Sequence, residues 1–347
     1  MGAKRTVHDS DSKATLLGGK THGFDHDHDP RVPAQVWFQE STEGRVLFIV
    51  FYTQACRWSR CLGCNLPSRM SEDHVPYANL MAQVDHVFSN PAWMAHRESI
   101  RKVIVSNNGS VLDEVTFSST ALMYLLAKLN LHLPNLAVLC LETRPEYVDI
   151  AELELIARAL AEGDTPTQLE IAIGFEVFDD RIRNEVFHKG LDLAVVEGLV
   201  RRVAPYGFRL KCYFMQKAVP GMSDDTAVAD IHRAIDYLDE LAKRYGVAIN
   251  MHLNPTFAAA GTPLGEAYTR GAFQPPKLVD VARAARHAVG KAVTVYVGLS
   301  DEGLAVPGGS FLRPGEEALV DALETFNRTL DYALLDALIT SDRGSAS

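Results

Sequence analysis

Val46-Leu47-Phe48-Ile49-Val50-Phe51-Tyr52 runs, after Thr53-Gln54-Ala55, into Cys56-Arg57-Trp58-Ser59-Arg60-Cys61-Leu62-Gly63-Cys64. The first part is an unbroken apolar, β-branched and aromatic run, the pattern of a strand buried on both faces. The second is a C-x4-C-x2-C loop that holds three of the five cysteines of the chain. Thiolates at this spacing can wrap one soft metal centre from a single loop. Spacing alone leaves three readings open. A 4Fe–4S cluster held by three cysteines would keep one iron without a protein ligand. A structural zinc would want four ligands, with His74 as the only nearby fourth. The third reading is three buried or free thiols with no metal.

Outward from this stretch the chain alternates strands and helices. Strand-like runs recur at Val103–Val105, Leu136–Leu141, Leu169–Phe175, Phe208–Phe214, Val247–Leu253 and Val293–Leu299. Between them lie amphipathic stripes such as Leu80, Val84, Val87, Phe88 and Leu122, Leu125, Leu126, Leu129, spaced as on one face of a helix. Asp149 is placed to cap the helix carrying Ile150, Leu153 and Ile156. Further helices are expected around Leu191–Val203, Thr226–Tyr245 and Lys277–Val289. Core-type strands alternating with helices predict an α/β fold with a parallel sheet and helices outside. The specific expectation is a partial or complete TIM-like (β/α)6-7 barrel. Three regions follow: an irregular N-terminal extension at 1–44, the barrel at 45–300, and a C-terminal flank at 301–347. That flank reads as one helix, Glu316–Leu338, and a frayed tail. The run His26-Asp27-His28-Asp29 reads as a solvated loop before a metal site.

Parallel α/β folds carry their sites at the carboxyl ends of the strands. Those ends here offer the three cysteines, Asn108-Gly109-Ser110, Glu142 with Arg144, Glu176, Gln216-Lys217 and Asn254. Tyr213 and His252 lie one or two turns of the pleat below the same rim. Cys140 and Cys212 fall inside strands and read as core thiols.

The chain has 347 residues, 47% of them hydrophobic and 22% charged, with a net charge of −10. Such acidity argues against a broad phosphate-binding face. No apolar run approaches the roughly 20 residues that span a bilayer, and the N-terminus lacks the apolar core of a signal peptide. A reducing cytoplasmic setting without disulfides is therefore expected.

Across residues 45–265 these motifs resemble the radical S-adenosylmethionine superfamily. Within it they resemble the branch of the Elongator catalytic subunit and the archaeosine-synthase radical subunit. The cysteine loop carries the resemblance, with Asn108-Gly109-Ser110-Val111-Leu112-Asp113 and Leu141-Glu142-Thr143-Arg144-Pro145. Ile173-Gly174-Phe175-Glu176, Arg183, His188-Lys189-Gly190 and Pro220-Gly221 add to it. The common family spacing is C-x3-C-x2-C with an aromatic residue before the last cysteine. Here the first gap is four and Gly63 takes the aromatic position.

The resemblance implies that Cys56, Cys61 and Cys64 bind three irons of a 4Fe–4S cluster and that S-adenosylmethionine chelates the fourth. It implies cofactor contacts from Asn108, Gly109, Ser110, Glu142, Arg144 and Glu176, while their place near the ends of the fifth and sixth strands makes Tyr213, Gln216, Lys217, His252 and Asn254 candidates for substrate. Reductive cleavage to a 5′-deoxyadenosyl radical is the implied activity, with flavodoxin or ferredoxin as electron donor. The expected substrate is a small biosynthetic molecule. A tRNA base is the second choice, because the chain shows no basic tail or appended RNA-binding domain. Aminocarboxypropyl transfer and a non-enzymatic zinc protein stand as rivals.

Overall fold

The computed structural model describes residues 19–345. Eight strands form one sheet in the order of the sequence. They are β1 (Gln35–Ser41), β2 (Gly44–Val50), β3 (Ile100–Ser106), β4 (Val138–Thr143), β5 (Gln168–Glu176), β6 (Arg209–Gln216), β7 (Ile249–Pro255) and β8 (Val293–Val297). From β2 onward each strand pairs parallel with the next. Helices Tyr77–Ser89, Ser119–His132, Ile150–Leu160, Leu193–Val203, Asp224–Tyr245 and Leu278–Arg286 fall between them. This is a partial TIM-like barrel, as the alternation predicts. Among the described residues no helix is long and apolar enough to cross a membrane.

Strand alternation divides the apolar residues into two layers. Leu47, Ile49, Phe51, Val103, Val105, Leu139 and Leu141 face the helices. Val46, Phe48, Val50, Ile104, Cys140 and Ala172 line the concave side. Cys140 and Cys212 are fully buried in strands, as core thiols should be. Beyond β4 the concave side turns polar, because register sets Glu170 beside Arg209, Lys211 beside Asn250, and Tyr213 beside His252. Asp149 caps its helix by accepting from the Ala151 and Glu152 amides.

Two expectations are corrected. Residues 35–41 are not irregular: they form β1, antiparallel to β2. The short β-branched and aromatic run Val36-Trp37-Phe38 is the signal, with Trp37 stacked on Phe48 inside the barrel at 4.2 Å. Nor is the C-terminal flank one helix. Glu317–Thr329 and Tyr332–Ser345 are separated at Leu330, whose φ of 51° is left-handed. Asp331 then restarts the helix by accepting from the Ala333 amide at 3.0 Å. Residues 342–345 thus continue a helix instead of fraying, while 346–347 and 1–18 lie outside the described residues.

β1 and β8 do not pair with each other, so the barrel has a seam. The helix Glu317–Thr329 packs against both edges. From it Asn327, 4% exposed, donates to the Val297 carbonyl and accepts from the Val297 amide, each at 2.8 Å. A side-chain amide thus stands in for the missing strand neighbour. Asn327→Leu should lower stability by about 2–4 kcal/mol, because it orphans two buried backbone groups. Asn327→Asp, which keeps the acceptor but sets a buried carboxylate against the Val297 carbonyl, should cost at least as much; urea unfolding followed by circular dichroism reads both.

Candidate active site

The cysteine loop leaves β2 under tight control. Gln83, fully buried, accepts from the Tyr52 amide and donates to the Tyr52 carbonyl, both at 2.8 Å. The Phe51 amide donates to Ser106 O at the end of β3. Ser59 turns the loop with a left-handed φ of 43°, its hydroxyl donating to the Cys56 carbonyl. Buried Lys20 donates to the Ser59 carbonyl at 3.0 Å. On the far side Leu62 N donates to Phe187 O and Trp58 Nε1 to His188 O. Gly190 lets the chain pass under Trp58, since a Cβ there would enter the indole ring.

Asn108-Gly109-Ser110 presses against this loop. A Cβ on Gly109 would sit 3.2 Å from Cys56 Cα, so any side chain there would press the first cysteine outward. Asn108 holds a left-handed φ of 53°. The Asn107 Oδ1 and Asn108 Nδ2 atoms beside it are buried without a protein partner. Ser110 Oγ accepts from the Arg144 amide at 3.1 Å. The Arg144 guanidinium is already engaged: it donates to the Lys189 and Gly190 carbonyls and to Glu146, and lies 4.4 Å from the Trp58 ring centroid. Its place in the structure is to brace the loop.

Farther round the rim, Tyr213 donates to Glu142 Oε1 at 2.5 Å, and burial raises the Glu142 carboxyl above its ordinary range. Tyr213, His252 and Tyr296 follow one another at centroid spacings of 4.8 Å. Burial, then the charges of Lys211 and Lys102, holds His252 well below the usual imidazole range, so the ring is neutral near pH 7. Glu176 stands on a bulge with a φ of 75° and pairs with Lys189 at 2.9 Å. Gln216 is completely buried, with both amide atoms unpartnered. Thr256 beside it, 2% exposed, also has a lone hydroxyl. Gly298 at the end of β8 leaves room, since its Cβ would meet Asn254 and His252. Lys217 points elsewhere, to Asp224 at the start of the next helix, at 2.7 Å.

The donor set, three half-buried free thiols on one loop, is of the kind that holds an iron–sulfur cluster. Burial pushes the Cys61 thiol up to about 12 and raises that of Cys64, so neither ionises readily without a cationic centre to hold the thiolate. The charge of Lys189 opposes that rise at Cys61, and the charge of Lys20 opposes it at Cys64. The three thiols are near enough to feel one another electrostatically. His74, the candidate fourth zinc ligand, is exposed with Nδ1 3.1 Å from the Val115 carbonyl. Among the described residues no three His, Cys, Asp or Glu groups, the three loop cysteines included, gather around a single ion. His28 is held by the Val32 carbonyl and Tyr52, and Asp29 by Arg31.

Sequence reading did not single out Lys20 or Glu302, and it quoted Trp58, Lys189 and Thr256 within motifs without giving them a role. Glu302 belongs to the loop after β8, has a left-handed φ of 53°, and is raised to about 7 by burial and the charge of Glu142. One backbone signal marks Glu302 and the rim around it. Seven described non-glycine residues have positive φ, and all but Leu330 lie on the loops around the carboxyl ends of the strands. Backbone strain of this kind collects at functional rims.

No protein-family model matches the chain. Archaeosine synthase subunit beta of Methanosarcina acetivorans is 25% identical over 263 residues, 74% of this chain and 71% of that protein. An uncharacterized protein of Methanocaldococcus jannaschii is 25% identical over 202 residues, 54% of this chain. The chain thus spans about half of that relative, 52% of its length. Among solved structures, the archaeal Methanocaldococcus infernus Elp3 with an N-terminal deletion has a TM-score of 0.50 at 16% identity. It covers 72% of this chain and 59% of its own, a likeness of fold. In fold and in sequence the chain therefore resembles the Elongator and archaeosine-synthase branch of the radical S-adenosylmethionine superfamily.

Proposed function

We propose that this chain is a radical S-adenosylmethionine enzyme, with Cys56, Cys61 and Cys64 holding three irons of a 4Fe–4S cluster. The observation that carries the reading is the loop of three thiols whose first member, Cys56, packs on the Gly109 backbone, beside the unpartnered Asn107 Oδ1 and Asn108 Nδ2 atoms. When bound, the cluster and S-adenosylmethionine supply one-electron reduction and hydrogen-atom abstraction, the chemistry that protein side chains lack. The residues do the rest. Asn107, Asn108 and the Gly109 backbone offer polar groups to the methionyl end. Glu142, oriented by Tyr213, offers a carboxyl oxygen to a hydroxyl donor. Lys189 and Glu176 keep a compensated charge pair beside Cys61. The apolar wall of Val46, Phe48, Val50 and Ile104 excludes water on one side.

For the substrate we propose a small biosynthetic molecule seated among Gln216, His252, Asn254, Thr256 and Tyr213. The neutral character of these groups and the net charge of −10 support this. A second reading, a nucleoside within tRNA, is favoured by the similarity to archaeosine synthase subunit beta. A cytoplasmic location with a ferredoxin- or flavodoxin-type donor completes the proposal.

Anaerobically reconstituted protein with dithionite should convert S-adenosylmethionine to 5′-deoxyadenosine, read by mass spectrometry. Cys61→Ala should lower that yield at least a hundredfold and lose the brown colour. Methylthioadenosine as the product would mean aminocarboxypropyl transfer, and one zinc without visible absorbance would leave a structural metal protein. A salt-dependent gel shift with tRNA would promote the second substrate reading. Gly109→Val should lose more than half of the bound iron by displacing Cys56. Gly198→Ala, where a Cβ meets nothing within 4 Å, should keep it.

A further inference from the structure

At the amino-terminal ends of the strands, across the barrel from the cysteine loop, five charged side chains meet in a region the proposed chemistry does not use. Lys102 Nζ lies 2.7 Å from Glu43 and 2.6 Å from Glu170. Arg209 reaches the same two carboxylates, at 2.5 Å and 3.2 Å. Two cations and two anions therefore alternate in a closed ring. The fifth member, Lys211, is only 4% exposed and stands outside that ring. Its ammonium donates to Asn250 Oδ1 at 2.5 Å. Among the described residues no carboxylate comes within ion-pair distance of it.

Charge counting gives an excess of one: Lys102, Arg209 and Lys211 against Glu43 and Glu170. Carboxylates hold Lys102 and Arg209 above their ordinary pKa values, whereas burial and the charge of Lys102 pull Lys211 below its own. A buried cation without a counter-ion is costly. Arg209 adds a buried Nε with no acceptor. Residues 209 and 211 alternate onto one face of β6, about 7 Å apart at Cα. A cavity of about 130 Å³ opens in front of both, with Ser41, Thr42, Asn250 and Thr294 among its walls. That is room for a polyatomic ion as well as for water.

We propose that this cavity binds a small monovalent carboxylate, one oxygen on Lys211 Nζ and the other on Arg209 Nε. The single excess charge selects a monoanion, because Glu43 and Glu170 in the same region repel a second negative charge. Two donors on separate side chains select a two-oxygen group over a halide. The occupant would touch the β1–β2 turn, β6 and β8 together, and so would fasten the barrel across its seam. This inference is independent of the reading of the cysteine rim.

The test is thermal unfolding of the full chain in sodium acetate against sodium chloride at matched ionic strength and pH 7. Acetate should raise the midpoint along a saturating curve, by about 3–5 °C at a hundredfold excess over its dissociation constant. Lys211→Gln should abolish the saturating part whatever its own starting midpoint. Equal midpoints for the parent in both salts would overturn the proposal. So would a linear rise shared by the variant, the general effect of an excluded salt. Should Lys211→Gln fail to fold, saturation-transfer NMR on the parent with acetate decides. Transfer that chloride does not displace at equal concentration supports the site, and no transfer overturns it.

Discussion

Packing of the Gly109 backbone against Cys56 is the contact on which the rest of the rim depends. The loop from Cys56 to Cys64 has no helix or strand of its own, so neighbours impose its shape. Gln83 fixes its start, Gly109 its first thiol, and residues 187–190 its far side through Leu62 and Trp58. Arg144 ties these together, reaching from the end of β4 to the carbonyls of Lys189 and Gly190 while lying over Trp58. A three-thiol site in a flexible loop would lose affinity to ordering entropy. Here that order comes from burial and hydrogen bonds distributed over three strand ends.

The sheet itself is asymmetric, and the asymmetry matters for chemistry. From β1 to β4 the concave side is mostly hydrocarbon, interrupted by Lys102 and Glu142, whereas from β5 to β8 it carries carboxylates, amines, phenols and amides. Reactive species held beside the first half would meet few exchangeable groups. Anything seated against the second half would find oriented partners already desolvated, among them Gln216 and Thr256. Low local dielectric strengthens such interactions once made and penalises them when unmade. Orphaned amides inside an otherwise satisfied core are therefore positions where a ligand is expected.

Much of this was legible from sequence, and for identifiable reasons. Of the seven parallel strands the first three announce themselves by unbroken apolar runs, as at Val46–Phe51 and Leu139–Leu141, and the last four by apolar residues that alternate with interior polar ones. Asp149 was readable as a cap because capping needs only one residue and its two successors. β1 was not, since one of its faces is polar and its partner lies across a turn. Glu302 belongs to a loop whose course depends on distant contacts, so no local pattern marks it, and Lys189 is legible only as a member of the His188-Lys189-Gly190 motif. Arg144 was correctly placed at the rim, yet its hydrogen-bond partners 45 and 46 residues onward could not be inferred from spacing.

Electron paramagnetic resonance of the anaerobically purified, dithionite-reduced protein, with and without S-adenosylmethionine, tests the central claim most directly. An iron cube gripped by three thiolates, with one corner free, should give the signal of a reduced 4Fe–4S cluster. Its g-values should move when S-adenosylmethionine is added, because the ligand binds the free iron. A reduced-cluster signal unchanged by S-adenosylmethionine, or no signal from protein that carries zinc, would contradict it.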